Sequence, residues 1–184
     1  MKPVATQESV NPVVVETFGL NRRFGSLVAV DDLNLGVASG AIFGLLGTNG
    51  AGKSTTIKML TTLLPPSTGT ASVAGFDIIR QPQEVRRNIG YVSQMLSADG
   101  ELTVYENLLI SAKLYGIPRM EREKWIREAL DFMELSHVAS TMVSHYSGGM
   151  IRRLEIAQSM LHRPAILFLD EPTVGLDPVA KHSV

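Results

Sequence analysis

The sequence predicts an α/β fold: a parallel sheet core, an antiparallel β part ahead of it, and a helical subdomain inserted into it. Two continuous apolar runs, Ala41–Leu46 and Ala165–Leu169, have the character of strands buried on both faces of a parallel sheet. A glycine-rich loop and a helix-forming stretch follow the first run directly. Three further stretches with helical spacing precede the second.

Residues 1–12 are polar and carry Pro3 and Pro12, which predicts a loose N-terminal arm. Val13–Leu20, Leu27–Val30 and Leu33–Val37 are rich in Val and Leu, with turn formers at Gly19, Gly25 and Asp31-Asp32, as expected of antiparallel strands. After Ser39-Gly40 comes the apolar strand Ala41–Leu46, then the loop, then a helix from Lys53 to Leu64 closed by Pro65-Pro66. Thr70–Val73 and Ile89–Val92 are further strands on either side of a short segment at Pro82–Arg87. Thr103 and Glu106 form a capping box ahead of Val104, Leu108, Leu109 and Ala112 at helical spacing. A second helix follows Pro118, with Trp125, Ile126, Ala129, Leu130 and Met133 on one face. A third opens at Ser147 and aligns Met150, Leu154, Ala157 and Leu161. Pro164 ends it, and Ala165–Leu169 follows. The expected organisation is an arm at 1–12, a core with its antiparallel part at 13–94, a helical subdomain at 95–163, and a return to the core at 164–184.

Composition narrows the function. The chain has 184 residues, 17 Lys plus Arg against 18 Asp plus Glu, no cysteine, and 45% hydrophobic residues. Balanced charge gives no electrostatic case for nucleic acid or an anionic membrane surface. Without cysteine there are no disulfides and no thiolate metal sites. Mean hydropathy is +0.13, yet no apolar run approaches the roughly 20 residues that span a bilayer. The first dozen residues do not have the pattern of a secretory signal, so a cytoplasmic protein is expected.

Gly47-Thr48-Asn49-Gly50-Ala51-Gly52-Lys53-Ser54-Thr55 has the spacing Gly-x-x-x-x-Gly-Lys-Ser/Thr between a strand and a helix. Glycines let successive backbone N–H groups curl around a phosphate, and the N-terminus of the helix adds partial positive charge. Lys53 is placed to reach the β- and γ-phosphates, and the Ser54 hydroxyl to ligate Mg²⁺. Ile166–Leu169 ends in Asp170-Glu171. Taken alone, such an acidic pair also serves as a helix cap or a solvated loop. Beside a phosphate loop it has a use: Asp170 fixes the metal or its water, and Glu171 polarises the attacking water. Together the two motifs indicate a P-loop NTPase of RecA-like architecture, working with ATP and Mg²⁺.

From Val13 onward the chain resembles the nucleotide-binding subunit of ABC transporters. Tyr146-Ser147-Gly148-Gly149-Met150 resembles the LSGGQ signature of that family, Gln94 its Q-loop, and Gly175-Leu176-Asp177 its D-loop; Phe24 falls where the family stacks an aromatic ring on adenine. The resemblance implies an ATPase whose site is shared between two head-to-tail subunits. Ser147, Gly148 and Gly149 act on the partner's nucleotide, Gln94 completes the Mg²⁺ site with Ser54 and Asp170, and Asp177 tunes the dimer contact. It also implies a transmembrane permease partner at the cytoplasmic face of the membrane, and no nucleic acid. The Tyr-Ser-Gly-Gly-Met form, with Leu63–Gly69, is similar to the branch of drug-resistance exporters of the daunorubicin type.

Three departures stand out. Met150 and Tyr146 replace the usual Gln and Leu of the signature. No histidine fits the family's switch position: His182 lies 11 positions after Glu171, too soon for the strand after a parallel crossover. His137, His145 and His162 precede the acidic pair and read as surface or capping residues. The family's strand after Asp170-Glu171 is likewise not found, so the chain resembles a subunit incomplete at its C-terminus. Two functions therefore stand side by side: a transport ATPase, and a nucleotide-binding fragment without turnover.

Overall fold

A computed structural model describes residues 12–172. The chain divides into two compact units, Met1–Val85 and Arg86–Val184. All but the last residue of the expected arm, and the Asp177 segment, lie outside the described residues.

In the first unit, β1 (Val13–Phe24) and β2 (Leu27–Ala38) form an antiparallel hairpin around Gly25-Ser26. With β3 (Thr68–Val73) and β4 (Phe76–Asp77) they make one antiparallel sheet in the order β2-β1-β3-β4. The β1–β2 register shifts between Thr17 and Leu20. There the Thr17 hydroxyl donates to Leu33 O at 2.8 Å and accepts from Leu35 N at 2.9 Å, so the side chain supplies bonds beside a ladder that slips. Val15, Leu20, Ala71 and Val73 are buried, together with Met59 and Leu60 of α1 (Lys53–Leu60).

Two sequence expectations fail in this unit. The α1 helix stops at Leu60 rather than Leu64, because Thr62 takes a left-handed φ of 62° and the amides of Leu63 and Leu64 both turn back to Lys58 O. Ala41–Leu46 is not a strand. An apolar run becomes a buried strand only when neighbours supply its ladder, and no described strand pairs with this one. Ile42, Phe43 and Leu46 are exposed in consequence.

Helix α2 (Pro82–Asn88) leads into β5 (Ile89–Val92), which pairs in parallel with β6 (Ile166–Leu169). Three helices pack in the second unit: α3 (Val104–Leu114), α4 (Arg119–Phe132) and α5 (Gly148–Met160). The capping box at Thr103 and Glu106 is fully formed. Val104, Leu108, Ile126, Leu130 and Leu154 are buried in a common cluster, as their spacing predicts. α5 also lies close against β5: a Cβ on Gly90 would stand 2.5 Å from Ser159 O, so the approach of strand and helix backbones requires glycine. β6 is not buried on both faces as its composition predicts. It has one described ladder neighbour, Ile166–Phe168 are half-buried, and Leu169 is 39% exposed.

His137 and His145 are exposed, as expected, but His162 is not a surface residue. Its ring stacks on Tyr115 with centroids 3.8 Å apart, and Nε2 lies 3.0 Å from Ile89 O. Nδ1 is buried without a hydrogen-bond partner among the described residues. Burial lowers its pKa, only partly opposed by the Ile89 carbonyl. The folded state thus disfavours the proton that the unfolded chain accepts below about pH 6.5. Stability contributed by neutral His162 is complete above that pH and is lost as pH falls through the unfolded value toward the lower folded one. Melting temperature is expected to drop between about pH 7.5 and 5.5, and His162→Gln to flatten that drop; equal slopes for both proteins in thermal scans would exclude it. No helix among the described residues is long and apolar enough to cross a membrane.

Candidate functional site

The phosphate loop belongs to the first unit and is shaped by its glycines. Gly50 and Gly52 adopt left-handed φ angles of 84° and 85°, which bend the chain back on itself, and Ala51 N donates to Thr48 O at 3.1 Å across the bend. Gly52 is the N-cap of α1, and a Cβ there would stand 2.2 Å from Ala29 O of β2. Loop and sheet backbone touch at a point where no side chain fits. Inside the loop, Lys53 Nζ donates to Gly47 O at 2.9 Å and Thr48 O at 3.1 Å. The first turn of α1 holds no acidic residue, so no carboxylate of its own offsets the positive end of the helix dipole. Ser54 and Thr55 are half-buried in that turn. Beside them lies a cleft of about 210 Å³ lined by Val30, Asp31, Leu45, Ala51, Lys53 and Thr56.

Gly52→Ala is expected to destabilise the protein by about 1–3 kcal/mol, from left-handed strain plus the clash with Ala29 O, and to weaken nucleotide binding more than tenfold. Calorimetric titration beside a denaturant melt checks both; unchanged affinity would mean that the loop tolerates a different path.

Phe24, the candidate adenine platform, ends β1 and is 45% exposed. The Arg22 guanidinium lies 4.6 Å from its ring centroid, and Arg22 also donates to Pro65 O at 2.9 Å. One face of the ring is thereby fixed by a cation.

The second unit brings the acidic residues to Gln94. Val92 and Leu169 are register partners at the ends of two parallel strands, so the chain leaves both strands on the same side. This places Gln94 Nε2 3.2 Å from Glu171 Oε2, across 77 positions of sequence. Asp170 is 3% exposed and donates its backbone N–H to Val92 O at 3.0 Å. Burial pushes the Tyr91 hydroxyl pKa up, and the charge of Asp170 adds to that. Glu171 has a left-handed φ of 50°, a conformation that a residue with a Cβ holds only under restraint from its surroundings.

Ser147 caps α5, accepting from Met150 N at 3.4 Å, and Gly148 and Gly149 form the first turn. Ser147 is exposed and Gly149 buried. Asp177 lies outside the described residues. Sequence reading missed Arg152 and Glu155, a buried ion pair at 2.9 Å on α5. Their signal was charge at i,i+3 spacing on the side of the helix away from its apolar stripe, which reads as a solvated face until β5 is packed against it.

The donor set suits Mg²⁺. No group of three or more His, Cys, Asp or Glu among the described residues could cage a metal by itself. Mg²⁺ keeps several waters and takes one or two carboxylates with substrate phosphates, so a hydroxyl at Ser54, an amide oxygen at Gln94 and a carboxylate at Asp170 are the kind of ligands it uses.

A sequence model of the ABC transporter family matches residues 30–174. The chain belongs to that family. It is 45% identical over 170 residues to the daunorubicin/doxorubicin resistance ATP-binding protein DrrA of Streptomyces peucetius, covering 92% of this chain and 52% of that one. It is 42% identical over 176 residues to the Nod factor export ATP-binding protein I of Rhizobium johnstonii, covering 96% and 57%. A solved ATP-binding subunit of an ABC transporter superposes with a TM-score of 0.80 at 32% identity, over 92% of this chain and 71% of that one. The P-loop NTPase fold expected from the two motifs is therefore that of an ABC transporter ATP-binding subunit. The chain spans about half the length of the curated relatives it matches.

Proposed function

We propose that this chain is the ATP-binding and ATP-hydrolysing subunit of an ABC-type exporter for a drug, antibiotic or similar substrate. The observation that carries the reading is the phosphate loop, with its left-handed glycines and the Lys53 ammonium held inside it at the open end of α1. Loop amides and Lys53 bind the phosphates, and Phe24 stacks on adenine. Ser54, Gln94 and Asp170 are the residues to hold Mg²⁺, which when bound spreads the charge of the phosphate oxygens. Glu171, steadied by Gln94, orients the attacking water. Ser147, Gly148 and Gly149 meet the nucleotide of a second subunit, and Asp177 lies at that dimer contact. Closure of the pair drives a transmembrane permease at the cytoplasmic face. Export is supported by the names of the relatives, which describe drug resistance and Nod factor export.

A second reading, nucleotide binding without turnover, is favoured by one observation: Ala41–Leu46, the run leading into the phosphate loop, has no strand partner among the described residues. Phosphate release and light scattering, each with and without Mg²⁺ and ATP, separate the two. Turnover together with an ATP-dependent doubling of mass supports the ATPase. Saturable ATP binding with neither supports the fragment, and absence of binding defeats both.

A further inference from the structure

Arg152 is a fully buried side chain of large volume, 1% exposed, and none of the nucleotide motifs accounts for it. A guanidinium is kept out of water only where its charge is paired and its donors are used. Nη1 donates to Ser93 O at 2.6 Å and to Glu155 Oε2 at 2.9 Å, and Nη2 donates to Gln94 O at 2.9 Å. Nε is left without a partner among the described residues, so the side chain is aimed at the two carbonyls rather than at its own full satisfaction. Glu155 is 5% exposed and turns its second oxygen to the Ser97 backbone N–H and, at 3.1 Å, to the Ser97 hydroxyl.

These carbonyls belong to the chain just after it leaves β5, beyond the last paired residue, Val92. They have passed the end of the ladder, and a side chain from α5 serves them instead. Two charged residues one turn apart thus hold both ends of the segment 93–97. A planar fork with several donors can reach two carbonyls and a carboxylate at once, whereas an ammonium presents a single point. The same helix begins at Ser147.

We infer that Arg152 and Glu155 are a positioning pair that makes Gln94 move with the mouth of α5, so that a displacement of Ser147–Gly149 reaches the Gln94–Glu171 contact. The inference rests on the reading above that these residues act on ATP. A pair that served only to fill the core would change stability and leave the balance between turnover and ATP binding alone.

Steady-state ATPase kinetics and hydrogen–deuterium exchange on the whole protein test this with Arg152→Met, Arg152→Lys, Gln94→Ala and Leu154→Ala. Arg152→Met is expected to lower kcat by about tenfold or more with KM within about threefold, and to speed exchange across 93–97. Arg152→Lys keeps the charge but not the fork, and its kcat stays below about a third of the parent value. Leu154→Ala removes a buried apolar side chain from the same helix; it lowers the melting temperature and leaves kcat within about twofold when assayed well below that temperature. The inference is overturned if Arg152→Met keeps kcat within about twofold, or if Leu154→Ala depresses it equally. Gln94→Ala tells the two levels apart. If it lowers kcat while Arg152→Met does not, the coupling alone is wrong; if it leaves kcat unchanged, the functional reading falls and takes the inference with it.

Discussion

Lys53→Met is expected to reduce ATP turnover by about 10²–10³-fold, the usual loss when one preorganised donor is removed from developing charge. Methionine preserves much of the stem and none of the donors. The ammonium now held by Gly47 O and Thr48 O would be gone, and no second cation has a contact printed within that loop to replace it. The fold should survive, because Lys53 is only half-buried and the α1 contribution to the core comes from Met59 and Leu60. Phosphate release at saturating ATP, with circular dichroism as the check on folding, measures the effect. Turnover within about threefold of the parent protein would remove Lys53 from the chemistry.

Glu171→Gln should lower kcat by about 10²–10⁴-fold while ATP still binds, since it removes a general base and little else. The amide keeps the size of the carboxylate and retains an acceptor oxygen for Gln94 Nε2, so the 3.2 Å contact need not be lost. With hydrolysis blocked and binding intact, the ATP-bound dimer should accumulate. Light scattering in ATP would show twice the mass of the chain, dispersing when ATP is removed. A variant that hydrolyses at the parent rate would assign the water to another residue. One that binds no ATP would show that the carboxylate is needed for assembly of the site.

Much of the fold could be read from local patterns because local physics sets it. Thr103 and Glu106 cap α3 whatever lies around them, Ser147 caps α5 in the same way, and Gly25 closes a hairpin between two Val- and Leu-rich strands. The phosphate loop was legible for a similar reason: its glycine positions, lysine and hydroxyl must occur in sequence order to surround one phosphate. Properties set by partners were not. Ala41–Leu46 is as apolar as a buried strand, but composition cannot supply the neighbour that would bury it. Arg152 looked like an ordinary surface charge because nothing in its own helix announces that β5 and the Gln94 segment lie on that side. His162 was misread likewise, since its burial comes from Tyr115 and Ile89, 47 and 73 positions away.

The unpaired run Ala41–Leu46 also governs how the protein behaves in concentrated solution. Six apolar residues carry no charge and no proline, and Ile42, Phe43 and Leu46 face solvent with open backbone donors and acceptors. That is the template on which identical chains add to one another, and a formal net charge of −1 offers little long-range repulsion to keep them apart. Colloidal stability would then depend on dilution and on solvents that weaken apolar association, more than on ionic strength.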